Sequence, residues 1–343
     1  MNTQDRIGYL DGWRGAAILG VLIDHFIKTR FLNLGRFGVE MFFVLSGILM
    51  ADILFVRKKR LRDFFPRRFS RTYPALLVLA TVLFLAAQST HLFHVSPLAY
   101  LSAITSTANY YSIYVERTPV FDHIWSLSIE EQTYVLLGIV ALVNRKFGIG
   151  ALPLILTGMV LGFANGAIHT FVFHQDYYTT YWRTDVRGAS ILAGAAIYLI
   201  FNSAEADFGR VQGASVLAFG VLAILFSADF MPDPVKYTAG TIFLATSLVL
   251  LHRSPRRVIA FFSSRVMVWI GTISYSLYLW QQPFGKLFRH TEKIALLPLV
   301  FAIAWASYRF IENPARKFLN DLWTKTETTL SARFEKTMAP EEV

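Results

Sequence analysis

Apolar residues gather into stretches of about twenty, roughly 8–29, 35–56, 70–89, 125–145, 149–173, 187–202, 211–229, 235–252, 266–287 and 294–312. A helix needs about twenty apolar residues to cross the hydrocarbon core of a bilayer. The pattern therefore predicts an all-α, polytopic transmembrane helix bundle of about ten spans. The stretch 95–114 is apolar but ambiguous, and charge decides how to read it. The loop 57–71 (RKKRLRDFFPRRFSR) holds eight Lys or Arg against one Asp, an excess that marks the cytoplasmic side. With that loop inside, the N-terminus is inside as well. Arg145 and Lys146, the cluster Arg253, Arg256, Arg257 and Arg265, and the tail from Arg316 follow only if 95–114 does not span. That stretch is expected to be re-entrant or interfacial, with both termini cytoplasmic. Lys28, Arg30 and Arg36 fall in the first outward loop, against the rule, and the rest of the bias outweighs them. No polar block is long enough to fold separately and no repeat of fixed period is present. The expected organisation is one transmembrane domain over 1–316 and a cytoplasmic polar tail over 317–343.

Composition agrees, with 54% hydrophobic and 16% charged residues. The absence of cysteine excludes disulfides, thiolate nucleophiles and cysteine-held zinc. A formal charge of +10 invites a nucleic-acid reading, but the positive residues sit between apolar segments, where they orient helices and attract headgroups or phosphates. No nucleic-acid partner and no metal are expected. His169 and His174 have no sequence partner that argues for a metal. The first apolar stretch carries Asp11, Arg14, Asp24 and His25 and lacks a small-residue cleavage site, so it is expected to remain as the first span.

Arg14 and His25 lie eleven residues apart, three helical turns plus about twenty degrees, and about 16 Å along the axis. They project from nearly the same face. An arginine within a span costs about 2.5–3.5 kcal/mol and usually faces a partner or a watery cavity; a structural ion pair or a hydrogen-bonded core histidine is the plainer reading. Company favours chemistry. Helix two opens with Glu40 at the depth of His25, and WSLSIEEQ brings Glu130 and Glu131 from the same side. A carboxylate beside an imidazole orients the ring and stabilises its protonated form, as general-base catalysis requires. Arg67, Arg68 and Arg71 stand where guanidinium groups can grip phosphate oxygens, although topogenic charge explains part of so basic a loop. Ser46 reads as a small packing residue. His123 and Trp125 precede or open the fourth span and suit an acceptor entrance. Tyr177, Tyr178, Tyr181 and Trp182 suit a membrane interface or a sugar-stacking wall.

RGAAILGVLIDH, FGVEMFFVLSG, RRFSRTYP, WSLSIEEQ, ISYSLYLW and YRFIENPAR, in this order from residue 7 to about 316, resemble the acyltransferase-3 family of membrane O-acyltransferases. The resemblance implies a multi-pass bundle of the inner (cytoplasmic) membrane. It would use cytosolic acyl-CoA, usually acetyl-CoA, to acylate a hydroxyl of a surface glycan or lipid-linked sugar. The family's essential Arg and His match Arg14 and His25, its acidic position matches Glu40, and its Arg-x-x-Arg matches Arg68 and Arg71. Coenzyme A carries three phosphates, which gives Arg67, Arg68 and Arg71 a ligand. His25 is then the expected base, with Glu40, Glu130 or Glu131 orienting it. Arg14 would position the donor, in one passage open to coenzyme A at one end and to sugar at the other. His123, Trp125, Tyr181 and Trp182 would face the acceptor. The chain departs from the family at Gln281 and Gln282, where a histidine is frequent, and at Ala189, where an Asp is common.

The rival expectation is a transporter or flippase for a lipid-linked or small polar substrate, since polar groups inside a bundle also mark pathways. Against it, the chain lacks repeated halves and paired helix interruptions. Acceptor, acyl length and oligomeric state leave no mark in the sequence.

Overall fold

A computed structural model describes residues 3–27, 31–90, 92–203, 213–288 and 290–338. Lys28 and Arg30, which entered the charge reading, lie outside the described residues, as do 339–343 of the tail. The elements are α1 (Thr3–Phe26), α2 (Leu34–Ala51, prolonged by a π turn over Asp52–Val56), α3 (Leu61–Ser89), α4 (Pro97–Ile104), α5 (Ala108–Tyr114) and α6 (Ile124–Phe147). There follow α7 (Ala151–Phe171), α8 (Tyr177–Tyr181), α9 (Thr184–Ser203), α10 (Ala214–Ser227), α11 (Asp233–Val235) and α12 (Thr241–Val249). The chain ends with α13 (Arg256–Phe262), α14 (Arg265–Thr272), α15 (Ser274–Leu287), α16 (His290–Ser307) and α17 (Asn313–Met338). No strand occurs among the described residues.

Local chemistry sets several boundaries. The Asn33 side chain accepts from the Arg36 amide and starts α2, and Ser96 does the same for α4 ahead of Pro97, each satisfying a donor that the first turn leaves orphaned. Gly148 closes α6 at φ +70°, a left-handed position that glycine fills without steric cost. Among the described residues, six helical stretches are long and apolar enough to cross a membrane: Leu34–Val56, Leu61–Ser89, Ile124–Phe147, Ala151–Phe171, Thr184–Ser203 and Glu292–Thr326. The ambiguous stretch 95–114 becomes α4 and α5, of 8 and 7 residues. At 1.5 Å per residue each reaches about 12 Å, well short of the roughly 30 Å of hydrocarbon.

The centre of the bundle is α2, packed between α1 and α9, with α7 behind α9 and α14 behind α1. These helices approach closely because small residues stand at the crossings. A β-carbon at Gly47 would lie 1.9 Å from the Ile191 carbonyl oxygen of α9, and one at Gly271 would lie 1.8 Å from that of Asp11 on α1. Lipid gives no hydrophobic drive between helices, so such backbone proximity supplies the packing that holds them. Glu40 adds a polar tie, bonded to Arg187 of α9 and Thr241 of α12. Both charges are buried, and truncating either alone would cost about 3–5 kcal/mol by leaving the other unpaired. Much of the predicted polar tail is helical: α17 packs along α3, where Ser70 donates to the Asn320 side chain at 2.9 Å.

Candidate active site

His25 faces the bundle interior near the end of α1. Its Nδ1 lies 2.7 Å from Oε1 of Gln281 on α15. The Gln281 Nε2 donates to the Tyr278 carbonyl at 3.3 Å, so the amide turns its oxygen to the ring. Nδ1 must then carry the proton, leaving Nε2 with a free lone pair. Nε2 makes no hydrogen bond among the described residues, and His25 lines a cavity that also reaches His123, Trp125, Tyr181 and Trp182. His123 is buried with neither ring nitrogen partnered. The Trp125 and Tyr181 rings stand 4.7 Å apart. Asp122 organises the rim, accepting from Arg117 at 3.0 and 2.7 Å and pairing with Lys286 at 3.3 Å. That hydrogen bond raises the Arg117 guanidinium above its ordinary value.

Arg14, Arg68 and Arg71 line a second cavity with Ser46, Glu130 and Tyr134. Arg14 pairs with Asp11 one turn earlier. Arg68 lies over the Tyr134 ring, 4.8 Å from its centre, and donates to the Met50 sulfur at 3.3 Å. No carboxylate among the described residues comes within salt-bridge distance of Arg68 or Arg71, and the three guanidinium groups line one cavity. Three gathered cations with one direct counter-ion form a ready anion site. Arg67 is exposed and does not line this cavity.

Two expectations need correction. The imidazole is oriented by an amide and not by Glu40, Glu130 or Glu131. Glu40 is taken by Arg187 and Thr241. Glu130 accepts from the Tyr134 hydroxyl at 2.8 Å and from Ser46 at 3.2 Å, and Glu131 accepts from Thr72 at 3.2 Å. The reason is position along α6: Ile124 opens the helix by the His25 cavity, and two turns on, the chain has reached the arginines. The single passage is divided into two adjoining cavities. Arg14 and His25 line separate cavities that share Val39 and Tyr278 as a common wall. Tyr278 is held there by hydrogen bonds of its hydroxyl to Ser126 Oγ at 2.6 Å and the His123 carbonyl at 2.9 Å.

The expected acceptor-side residues thus meet His25, and Arg68 and Arg71 meet Arg14. Sequence reasoning missed Tyr278 as the wall, Asp122 as the organiser of the rim, and Gln281 as the partner of His25. The only signal for Gln281 was its departure from a frequent histidine. Among the described residues, no group of three or more His, Asp or Glu gathers as metal ligands would.

Comparison with known proteins places this geometry. No solved structure matches the chain. The chain is 30% identical over 356 residues to the peptidoglycan O-acetyltransferase OatA of Listeria monocytogenes, covering 91% of this chain and 56% of that protein. A provisionally named peptidoglycan O-acetyltransferase, YrhL of Bacillus subtilis, is 27% identical over 90% of this chain and 54% of its own length. The chain therefore spans about half the length of these curated relatives. The acyltransferase-3 family model, described as an acyltransferase domain, matches residues 7–309, and the chain belongs to that family.

Proposed function

We propose that the protein is a membrane O-acyltransferase that moves an acetyl group from cytosolic acetyl-CoA to a hydroxyl of a cell-envelope glycan, with His25 as general base. The observation that carries this reading is the setting of His25: Nδ1 lies 2.7 Å from the Gln281 amide oxygen, which favours a proton on Nδ1 and a lone pair on Nε2, and the residue lines a cavity walled by aromatic rings. On this reading about ten spans cross the cytoplasmic membrane with both termini inside, and the arginine cavity opens towards the cytoplasm. Arg68 and Arg71 grip phosphate oxygens of coenzyme A, Arg67 serves as a peripheral cation, and the pantetheine arm carries the thioester past Arg14 to the Val39–Tyr278 wall. That wall must yield for the reaction to occur.

The acceptor hydroxyl gives its proton to His25 Nε2 as its oxygen attacks the thioester carbonyl. Arg14, three turns from His25 and in the other cavity, holds the donor arm on its way to the wall. Collapse forms the ester and breaks the carbon–sulfur bond, and the coenzyme A thiolate leaves, recovering the proton from the imidazolium. Glu40 supports this arrangement through α2, while Glu130 and Glu131 balance the arginine charge. His123, Trp125, Tyr181 and Trp182 hold the sugar. Peptidoglycan, the substrate in the relatives' names, is the first acceptor to try.

Arg71→Ala tests the donor end. Loss of one charge-assisted contact, about 1.5–3 kcal/mol, should weaken coenzyme A binding roughly ten- to a hundredfold in a folded protein. Unchanged affinity measured by calorimetry would remove coenzyme A from this cavity. Labelled acetyl-CoA and a glycan then distinguish the enzyme from a transporter, which would form no ester.

A further inference from the structure

A third cavity lies beside the one that holds His25, and the mechanism above does not use it. Tyr177 and Tyr181 line both, with their rings stacked 4.8 Å apart. On the far side the lining includes Arg187, Thr180, Tyr237 and Asp233. Arg187 is only 1% exposed. One of its nitrogens serves Glu40 and its guanidinium lies 3.8 Å over the Tyr237 ring, while Nε and Nη1, like the buried Thr180 hydroxyl, have no hydrogen-bond partner among the described residues. Orphaned buried donors of this kind are costly unless something fills the space beside them.

The charge of the chamber selects what that is. Arg187 is neutralised by Glu40, and Asp233 pairs with Lys236 at 3.0 Å. An incoming carboxylate or phosphate would meet Asp233 and gain no uncompensated cation. An uncharged, hydroxyl-rich ring fits instead. Its oxygens can accept from Arg187 and exchange hydrogen bonds with Thr180, while its apolar side meets the Phe163 and Tyr177 side chains that line the chamber. Resting on the glycan reading above, we propose that this chamber is a second saccharide subsite, holding a neutral sugar linked to the one that is acylated. The acceptor is then an oligosaccharide in preference to a single sugar.

The test is binding to the full chain in lipid nanodiscs without acetyl-CoA, using β-1,4-linked N-acetylglucosamine oligomers of one, two and four sugars. The tetramer should bind the natural sequence at least tenfold more tightly than the monomer, the order expected for the added hydrogen bonds to Arg187 and Thr180. Thr180→Phe, which fills the chamber, should abolish that preference and leave monomer affinity unchanged. Thr180→Val, which removes only the hydroxyl, should reduce it by roughly threefold or more. No oligomer preference in the natural sequence, or the same preference in folded Thr180→Val and Thr180→Phe, would mean that the chamber holds water only and would overturn the subsite. Acetyl transfer is measured separately. Oligomer preference without transfer would sink the enzymatic reading and keep the subsite, and transfer without preference would do the reverse.

Discussion

An imidazole held by an amide oxygen is a different reagent from one held by a carboxylate. Both partners fix the tautomer, but only a carboxylate lends charge to the imidazolium. Gln281 therefore acts on His25 as a positioning residue, and its variants should separate the two effects. Gln281→Ala should lower kcat about five- to tenfold, the worth of one neutral hydrogen bond of roughly 1–1.5 kcal/mol, with acetyl-CoA KM unchanged. Gln281→Glu should move the acid limb of the pH–rate profile to higher pH, because the added negative charge stabilises protonated His25 and the base is lost to protonation sooner as pH falls. A profile unmoved by Gln281→Glu would show that the amide does not touch the working base. At this scale the sequence was legible wherever a charge was expensive. Arg14 and His25 stood out because an apolar span rarely carries such groups. Gln281 did not, since an amide is cheap to bury and its partner lies 256 positions away.

Among elements, α1 matters most, for it carries both Arg14 and His25 and leans on α14 at Gly271 and on α2 beyond it. Gly271→Val would drive a side chain into the Asp11 carbonyl. It should cost about 1–3 kcal/mol or more in stability and lower transfer even in protein that survives, because α1 must shift with its two functional groups. A melting temperature and a turnover rate both unchanged in Gly271→Val would contradict this packing. Among the described residues six of the ten apolar runs stand as helical stretches long and apolar enough to span, whereas 266–287 is split into α14 and α15 and 211–229 keeps 14 helical residues in α10. The loop charges argued against a span at 95–114, where two short helices stand. Which carboxylate would face His25 was not readable. Depth alone grouped Glu40, Glu130 and Glu131 with the imidazole, whereas the rotation of α2 and the length of α6 send them to Arg187 and the arginine cavity.

Across the whole molecule, the arginine cavity and the His25 cavity adjoin at Val39 and Tyr278. If the arginine cavity takes the donor and the His25 cavity the acceptor, as proposed, such a wall would keep water from the thioester until both substrates are in place. Val39→Trp should thicken the wall and lower kcat at least tenfold while coenzyme A affinity at the arginine cavity stays the same. Equal loss of affinity and turnover would mean that the wall belongs to the donor site itself. The order of the six motifs along the chain made the family legible, but the partition arises from α2 meeting α15, two segments that no local pattern relates.

The central claim is that His25 takes the proton of the attacking hydroxyl. Purified protein should be mixed with acetyl-labelled acetyl-CoA and a glycan acceptor, quenched within one turnover, and the labelled ester counted for the natural sequence and for His25→Ala. The account predicts ester from the first and a fall of about 10²–10⁴ in the second, with coenzyme A binding preserved. Undiminished ester formation by folded His25→Ala would contradict it.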